Sequence, residues 1–352
     1  MQFKIKKFFI IELFITILFY HNNLYSNPKI ESIDDFGIIS LIYHRFEENK
    51  YPSTNIKIKE FINHIEILDD NKIRFVNPKS FEDELKNNKK QKKVLLTIDD
   101  GFESFYQNAW PILKKKRIPF ILFVSTREVG AFNYMTWDQI REIDKEEFVE
   151  IGNHSHTHEY LVDKNKDVII SDIKKSMSIF KKELGKNSDF FSYPFGEYSL
   201  EFKDIIISLG FKYAFGQHSG VIDETKDFYE LPRFPINEKY GEIKRFNSLT
   251  RTLPFKYKKI SPMERYLLKS TNPPEVKINF YENIKNLKSL SCYSNEGNKW
   301  RQSDIKFEDD LTLFVNISEK FVGERGRINC SLRDPSGYWR WLGIQFVISD
   351  RY

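Results

Sequence analysis

Short apolar runs that alternate with helical patterns between residues 36 and 240 constrain the fold of this 352-residue chain most strongly. Residues 37–43 (GIISLIY) and 120–124 (FILFV) have the length and apolar character of buried strands. Between such runs, apolar residues recur at helical spacing, and Thr136 and Gln139 form the sequence signature of a capping box. This alternation predicts an α/β domain with a mainly parallel sheet or barrel, whose chemistry gathers at the carboxyl ends of the strands.

The pattern changes after about residue 255, where prolines punctuate a connecting region. The stretches that follow, among them 276–280 and 341–348, are short, strand-like and separated by turn residues. They predict a small antiparallel β-sandwich. The chain is therefore expected to comprise four parts: a signal peptide at 1–26, an α/β barrel domain at 27–257, a linker at 258–274 and a β-sandwich domain at 275–352.

The N-terminus carries the features of an export signal. Three lysines precede an apolar run at residues 8–20, and Leu24, Tyr25 and Ser26 offer a cleavage site. This arrangement is typical of a secretory signal peptide and is too short for an ordinary membrane span. We expect a periplasmic or extracellular protein with no stable membrane span after cleavage. Glu12, a charge within the run, leaves an uncleaved membrane anchor as the alternative.

Charge and cysteine content add two further constraints. Lysine and arginine number 55 against 50 aspartates and glutamates, a net charge of +5 with no basic stripe, so we expect no nucleic-acid partner. The two cysteines, Cys292 and Cys330, both lie in the last quarter of the chain. In an exported protein they are expected to form one disulfide, and two buried free thiols are the alternative.

Two segments rich in acid–base and metal-binding side chains follow predicted strands. Asp99 and Asp100 end a buried strand in the segment TIDDG, and the segment HSHTH occupies residues 154–158. Because His154 and His158 are four residues apart, one helical turn can direct both imidazoles at one ion. A His₂–carboxylate set leaves a position for water, as catalytic zinc sites require. Non-haem iron oxygenases use the same ligands, so both chemistries stay open at this point.

These segments resemble the first two motifs of the polysaccharide deacetylases, carbohydrate esterase family four. The similarity extends through VLLTIDDGFESFYQNAWPILKKKRIPFILFVST, MTWDQIREI and VEIGNHSHTHEYL, while residues 193–196 (YPFG) resemble the third motif. Residues 43–45 (YHR) resemble the first strand of the branch that acts on exported polymers of N-acetylglucosamine. Across residues 36–245, the resemblance implies a distorted (β/α) barrel of the polysaccharide deacetylase type. It also implies metal-dependent removal of N-acetyl groups from an N-acetylglucosamine-containing polysaccharide.

The resemblance implies a role for each matched residue. Asp99 matches the general base, and the backbone N–H of Phe195 matches the donor to the oxyanion. Asp100, His154 and His158 match the ligands of a divalent metal, with Zn²⁺ as the first candidate and Co²⁺ or Ni²⁺ as alternatives. The other matched residues of the third motif and the first strand are expected to contact the substrate: Tyr193, Pro194 and His44.

The third motif departs from the family pattern. Ser192 stands where the family usually has an arginine that orients the base, and the later tryptophan and Leu-x-His motifs are not visible. We predict that Arg233, in the segment LPRF, replaces that arginine and pairs with Asp99, and a surface cation is the alternative. His218 is the first candidate for the general acid because histidine transfers protons near neutral pH, and His44 is its rival.

Two alternatives to a deacetylase follow from the same residues. A non-catalytic glycan-binding protein on a degenerate deacetylase scaffold is favoured by Ser192 and by the missing motifs, but the intact aspartates and histidines oppose it. An iron oxygenase is opposed by the base-like Asp99 and by the oxyanion segment. Four aromatic residues of the C-terminal part are expected to pack in the sandwich, with sugar stacking as the alternative: Trp300, Tyr338, Trp339 and Trp341.

Overall fold

The structure is a computed structural model that describes residues 33, 35–87, 89–281 and 284–348. The predicted signal peptide at 1–26 lies outside the described residues. Within the part that the structure describes, no helix combines the length and the apolar character needed to cross a membrane.

The first eleven strands precede residue 236. They are β1 (Ile38–Tyr43), β2 (Arg45–Phe46), β3 (Asn55–Ile56), β4 (Arg74–Phe75), β5 (Lys93–Ile98), β6 (Phe120–Val124), β7 (Val149–Asn153), β8 (Phe190–Ser192), β9 (Tyr213–Phe215), β10 (Val221–Ile222) and β11 (Phe234–Pro235). The helices are α1 (Ile58–Asp70), α2 (Phe81–Lys86), α3 (Trp110–Lys116), α4 (Trp137–Asp144), α5 (Lys166–Leu184), α6 (Leu200–Ser208) and α7 (Ile243–Leu249).

Nine further strands follow. They are β12 (Thr252–Pro254), β13 (Tyr257–Ser261), β14 (Tyr266–Leu267), β15 (Val276–Phe280), β16 (Ser291–Ser294), β17 (Arg301–Phe307), β18 (Thr312–Asn316), β19 (Arg325–Arg333) and β20 (Trp339–Ile348).

The first sheet has the order β10-β1-β5-β6-β7-β8-β9, with β11 beside β1 and β4 beside β5. All of these pairs are parallel except β1 with β10. Residues 231–235 connect the two sides of the sheet, because Leu231 bridges to Phe215 of β9 and Phe234 pairs with Leu41 of β1. The sheet is thus curled, which confirms the predicted α/β barrel-like architecture.

Residues of the central strands alternate between an outer and an inner core, as the period of two requires. In β5, Leu96 and Ile98 join residues of α1, α3 and α4, whereas Leu95 joins Phe123 and Phe215 on the other face. The residue just after β5 continues the inner series, and the loops after β1, β5, β7 and β8 leave from the same end of the sheet. The predicted capping box is confirmed at α4, which fixes where that helix begins.

The second sheet has the order β12-β20-β19-β16-β17-β18-β15-β13, with β14 beside β20. Strands β15 to β20, which lie in the region predicted to be antiparallel, pair antiparallel, whereas β12 and β14, which precede that region, lie parallel to β20. The chain leaving the barrel-like sheet thus pairs at β12 and β14 with the edge of β20 that faces away from β19. Both halves of the sheet share one core, in which Cys292 and Cys330 face each other across β16 and β19 in a disulfide.

The two sheets contact each other at Ser219. Its carbonyl accepts a hydrogen bond from the Gly343 amide at 2.6 Å, and its Oγ accepts one from Trp341 Nε1 at 2.7 Å. A Cβ at Gly343 would lie 2.5 Å from the Ser219 carbonyl oxygen, so only glycine permits this approach. Trp341 is therefore a packing residue, as expected, but the expected packing is wrong for Trp300 and Trp339, whose side chains are exposed.

Candidate active site

The centre of the site is a buried ion pair between Asp99 and Arg233. The guanidinium donates from Nη1 to Oδ1 of Asp99 at 2.8 Å and from Nη2 to Oδ2 at 3.0 Å. Arg233 is further fixed by donating to the Gly216 carbonyl and to Thr97 Oγ1. Burial raises the pKa of Asp99, but the charges of Arg233 and His154 hold it below its usual value. Asp99 is therefore an enclosed, ionised carboxylate, which suits a general base.

Arg233 reaches Asp99 from the 231–235 segment that curls the sheet. Ser192, at the position of the family's usual arginine, donates its hydroxyl to Asp99 Oδ2 at 3.0 Å and accepts from Arg233 Nη2 at 2.8 Å. The small serine side chain leaves room for a guanidinium that comes from a different part of the chain. The pairing of Arg233 with Asp99 that the sequence predicts is a direct, two-point contact.

Asp100, His154 and His158 each bring one ligand atom to a common point, and these atoms lie within 4.8 Å of one another. Asp100 Oδ1 is 3.4 Å from His154 Nε2 and 3.2 Å from His158 Nε2. Because the Ser192 carbonyl can only accept, His154 Nδ1 must donate to it at 2.7 Å, which leaves Nε2 for a metal. One carboxylate and two imidazoles are a donor set that suits a divalent ion such as zinc.

Four residues of this site have left-handed backbone conformations. They are Asp100 (φ 76°), Ser155 (φ 69°), His158 (φ 52°) and Phe195 (φ 58°). Each such conformation costs a non-glycine residue roughly 1–3 kcal/mol, so the surrounding contacts must hold it. Strain of this kind clusters at functional sites, and here it turns the loops that carry the candidate ligands.

Asp172 of α5 holds the HSHTH loop and was missed by the sequence analysis. Its carboxylate accepts hydrogen bonds from the His156 amide at 2.8 Å and from the Thr157 amide and hydroxyl at 3.1 and 2.7 Å. The available signal was an aspartate within the apolar stripe of α5, next to Ile169 and Ile173, where a buried charge needs partners. His156 is directed away from the ligand group and contacts Thr126 Oγ1 at 2.8 Å.

His44 follows β1 and lies in the electrostatic field of the site. Burial lowers the pKa of His44, and the carboxylates of Asp100 and Asp99 offset this shift only in part. Among the described residues, its Nδ1 has no hydrogen-bond partner although it is buried. A buried imidazole nitrogen without a partner, in the field of both aspartates, marks His44 as a residue of the site whose role the described residues do not explain.

His218, the first candidate for the general acid, is not brought to the aspartates. It lies beside Tyr198 and Gly216, and a backbone hydrogen bond links it to Glu230. Burial, followed by the charge of Arg265, lowers its pKa to about 3. These surroundings disfavour the protonated imidazole, and the role of His218 as the general acid stays a prediction.

The residues of the third motif lie in two environments, the hydrophobic core and the candidate active site. The Tyr193 side chain is fully buried against Tyr198, and its hydroxyl donates to the Tyr229 carbonyl at 3.1 Å. Pro194 is buried too, so the predicted substrate contacts of these two side chains are corrected to packing roles. Phe195 is half-buried, and its ring centroid lies 4.7 Å from that of His158, which keeps its backbone beside the ligand group.

A groove of about 330 Å³ opens over the ligand group. The Arg45 guanidinium lies over the Phe102 ring at 3.4 Å and over the Tyr51 ring at 4.2 Å, forming part of its wall. These residues were not predicted from the sequence, although Phe102 follows TIDDG directly. The groove is lined by Arg45, Tyr51, Ser53, Thr54, Asp100, Phe102, Ser125, Glu128, Tyr134 and His158.

Comparison with known proteins places this geometry in a family. The family model described as "Polysaccharide deacetylase" matches residues 86–214. The poly-β-1,6-N-acetyl-D-glucosamine N-deacetylase of Staphylococcus aureus (strain MRSA252) is 28% identical over 224 residues, which cover 59% of this chain and 77% of that protein.

Two solved structures are similar to the barrel-like part. IcaB from Ammonifex degensii has a TM-score of 0.57 at 26% identity, covering 62% of this chain and 99% of that chain. The deacetylase PplD of Streptococcus pyogenes, in complex with acetate, has a TM-score of 0.53 at 25% identity, covering 58% and 94%. With the motif residues gathered at one end of a curled sheet, these matches show that the chain contains a polysaccharide deacetylase domain and is a hydrolase of carbon–nitrogen bonds.

Proposed function

We propose that this protein hydrolyses N-acetyl groups of an N-acetylglucosamine-containing polysaccharide. One observation carries the proposal: the ionised, Arg233-paired Asp99 lies 3.7 Å from His154 Nε2, beside the Asp100, His154 and His158 group, and Asp100 and His158 of that group line one groove. The Staphylococcus aureus relative is named for a β-1,6-linked polymer, which makes that linkage the first substrate to test.

A divalent ion would be held by Asp100, His154 and His158, and zinc fits this donor set, with cobalt or nickel as substitutes. When bound, such an ion supplies Lewis acidity, which lowers the pKa of a water molecule and polarises the acetamide carbonyl. The remaining chemistry belongs to residues of the chain.

Asp99 is placed to take the proton of the attacking water. Arg233 and Ser192 hold the carboxylate by hydrogen bonds to both oxygens, so its orientation and charge are fixed before substrate enters. Water forms the new carbon–oxygen bond, and the carbon–nitrogen bond then breaks. Because an amide anion is a very poor leaving group, the nitrogen must receive a proton, and we assign that transfer to His44 rather than His218.

We assign to the backbone N–H of Phe195 the hydrogen bond that stabilises the oxyanion, which forms when water attacks the acetamide carbonyl. The Phe195 side chain packs against His158, with the two ring centroids 4.7 Å apart. A donor of this kind contributes roughly 3–4 kcal/mol to the transition state when it is fixed in advance. Acetate and a free glucosamine amine are the products, and the groove above leaves room for a sugar of the polymer.

Acetate release tests this function directly. Purified protein loaded with Zn²⁺, Co²⁺ or Ni²⁺ should release acetate from β-1,6-linked N-acetylglucosamine oligomers, with β-1,4-linked oligomers assayed in parallel. Asp99→Asn is the matched control because it keeps the shape and removes the charge, and it should lower kcat by roughly 10²–10⁴-fold.

The glycan-binding alternative makes the opposite prediction. If no oligomer or polymer yields acetate with any of the three metals, while Asp100→Ala binds glycan as tightly as the wild type, the deacetylase proposal is wrong and binding is the function. If the wild type does release acetate, the variants His44→Gln and His218→Gln separate the two candidate acids. We expect a large loss of kcat only for His44→Gln.

Export and domain division complete the proposal. We propose that residues 1–26 direct the chain out of the cytoplasm and that the enzyme acts in the periplasm or outside the cell. The disulfide between Cys292 and Cys330 supports an oxidising compartment. We also propose that residues 27–257 form the catalytic domain and residues 275–352 a β-sandwich domain, joined through 258–274.

A further inference from the structure

The segment that carries the proposed oxyanion donor is conformationally strained and needs external support. Phe195 (φ 58°, ψ 7°) and Gly196 (φ 69°) are consecutive left-handed residues between buried Pro194 and buried Glu197. Two successive residues in this region do not hold themselves in place, because an extended or right-handed backbone is lower in energy for Phe195. What packs against residues 194–197 therefore decides where the Phe195 amide lies.

The support comes from the second sheet. Arg325, the first residue of β19, donates from Nε to Glu197 Oε1 at 2.5 Å, and its guanidinium carbon lies 6.0 Å from the Phe195 ring centroid. Gln345 of β20 donates from Nε2 to the Gly196 carbonyl at 3.4 Å. Arg327 fixes Gln345 in turn by donating to its Oε1 at 3.2 Å. Two neighbouring strands of the second sheet thus hold both residues that follow Phe195.

In the ion pair between Arg325 and Glu197, the glutamate is buried and the arginine is partly exposed. Glu197 is 2% exposed, while the Arg325 side chain retains 23% exposure. Burial raises the pKa of Glu197 to about 7, and the charge of Arg325 opposes that rise. Without Arg325, the buried carboxylate would take up a proton or turn towards water, and either change releases Gly196 and Phe195 from their present position.

We propose that Arg325 and Glu197 are positioning residues, through which the second sheet holds the Phe195 amide in the place where it can stabilise the oxyanion. This inference rests on the proposed deacetylase function and adds a role for the C-terminal sheet. The sheet contributes to the rate of the reaction through a contact 128 residues away in sequence, and it need not touch the substrate to do so.

The kinetic test uses the full zinc-loaded chain at pH 8, where Glu197 is ionised. Arg325→Met should lower kcat about tenfold, a fraction of the roughly 10²–10³ that an oxyanion donor contributes, with KM within about twofold. Arg325→Lys should recover most of the loss, and Glu197→Gln, a nearly isosteric change, should match Arg325→Met. Because both variants remove one interaction, the double variant should be no slower than either single variant.

Arg340→Met is the matched control. Arg340 belongs to β20, next to β19, donates to the Pro254 carbonyl and pairs with Asp334, so its contacts lie within the second sheet and its connecting turn, away from residues 194–197. The kcat, KM and zinc content of the Arg340→Met variant should equal those of the wild type. If Arg340→Met is as slow as Arg325→Met, the effect is a general loosening of the sheet and the positioning role is overturned.

Amide hydrogen exchange provides a readout independent of activity. Peptides that cover residues 190–200 should exchange faster in Arg325→Met and Glu197→Gln, and at the wild-type rate in Arg340→Met. A wild type that releases no acetate contradicts the proposed function, whereas unchanged exchange in Arg325→Met contradicts the positioning role whatever the activity. A kcat of Arg325→Met within twofold of an active wild type overturns the inference as well.

Discussion

A fully buried carboxylate stays charged only when its partners outweigh the loss of water, and Asp99 has such partners. Arg233 binds both of its oxygens, and Ser192 adds a hydroxyl donor. The same contacts fix the direction of the carboxylate, so charge and orientation have one cause. Arg233 also serves the fold, because removing it would leave a charge buried without its cation.

Arg233→Ala should therefore act on stability and on catalysis together. We expect the free energy of unfolding to fall by roughly 3–5 kcal/mol, the cost of breaking a buried pair. The kcat for acetate release, corrected for the folded fraction, should fall by roughly 10²-fold or more, because a general base contributes at least that much. Arg233→Lys keeps the charge without the two-point geometry and should be intermediate. Near-wild-type kcat in Arg233→Ala would exclude Arg233 as the residue that orients Asp99.

His64 makes a second prediction at this scale, on the pH dependence of stability. Its ring is buried and stacked on Phe246 at 3.9 Å, contacts the Tyr43 hydroxyl and donates to the Gly241 carbonyl. Burial lowers its pKa from 6.5 to about 4. As the pH falls below 6.5, the unfolded chain binds a proton first, so the stabilising contribution, complete above 6.5, is lost as the pH falls through 4.

Denaturant unfolding of the wild type and of His64→Phe between pH 7 and pH 4 measures this contribution. The phenylalanine keeps the ring stacked on Phe246 and removes the titration. The wild type should lose roughly 3 kcal/mol more than His64→Phe over this range, the free energy of a shift of about two and a half pKa units. Parallel pH curves for the two proteins would show that His64 titrates alike in the folded and unfolded chains.

At the scale of elements, helix α5 fixes the loop that carries two candidate metal ligands. Asp172 lies on its buried face and binds the backbone and side chain of residues 156 and 157, directly before His158. The helix thereby sets the left-handed turn at His158, and a residue that touches no metal controls the geometry of one that would. Outer partners of this kind commonly contribute a factor of about 10–100 to metal affinity.

Asp172→Asn should weaken zinc binding by roughly 10–100-fold in a chelator competition assay, because the amide cannot accept three hydrogen bonds in the same geometry. Asp167→Asn is the control on the same helix, since Asp167 lies exposed in its first turn. Its zinc affinity should be that of the wild type. Equal affinities for Asp172→Asn and the wild type would mean that the HSHTH loop holds its shape without α5.

At the scale of the whole molecule, the sequence predicted what local patterns determine. Asp99 and Asp100 follow β5 and His154 follows β7, and these two parallel strands flank β6, so the shared carboxyl end of the sheet brings the residues together. The choice between His44 and His218 depends on burial and on the charges around each ring, which tertiary packing decides. Arg325 begins β19 of the second sheet and Glu197 lies in the loop after β8 of the first, and no local pattern indicates that they meet.

The junction between the two sheets yields the last prediction. Where the sequence predicts a linker at 258–274, the structure has β13 and β14, and β12 just before them pairs with β20. A segment whose backbone is hydrogen bonded in a sheet must unfold locally before it fits the active site of a protease. Although Lys258 and Lys259 are exposed, we expect trypsin to spare this region of the native protein until the whole chain unfolds.

Limited trypsin digestion followed by mass spectrometry, together with calorimetry, measures this coupling. The contacts of Ser219 with Trp341 and Gly343 tie β20 to the barrel-like sheet, so heating should give one transition rather than two. Gly343→Ala is the informative variant, because its Cβ would clash with the Ser219 backbone and separate the sheets. We expect it to lower the transition temperature and to expose cleavage at Lys258 and Lys259. Rapid wild-type cleavage there into two stable fragments would instead establish independent domains joined by a mobile linker.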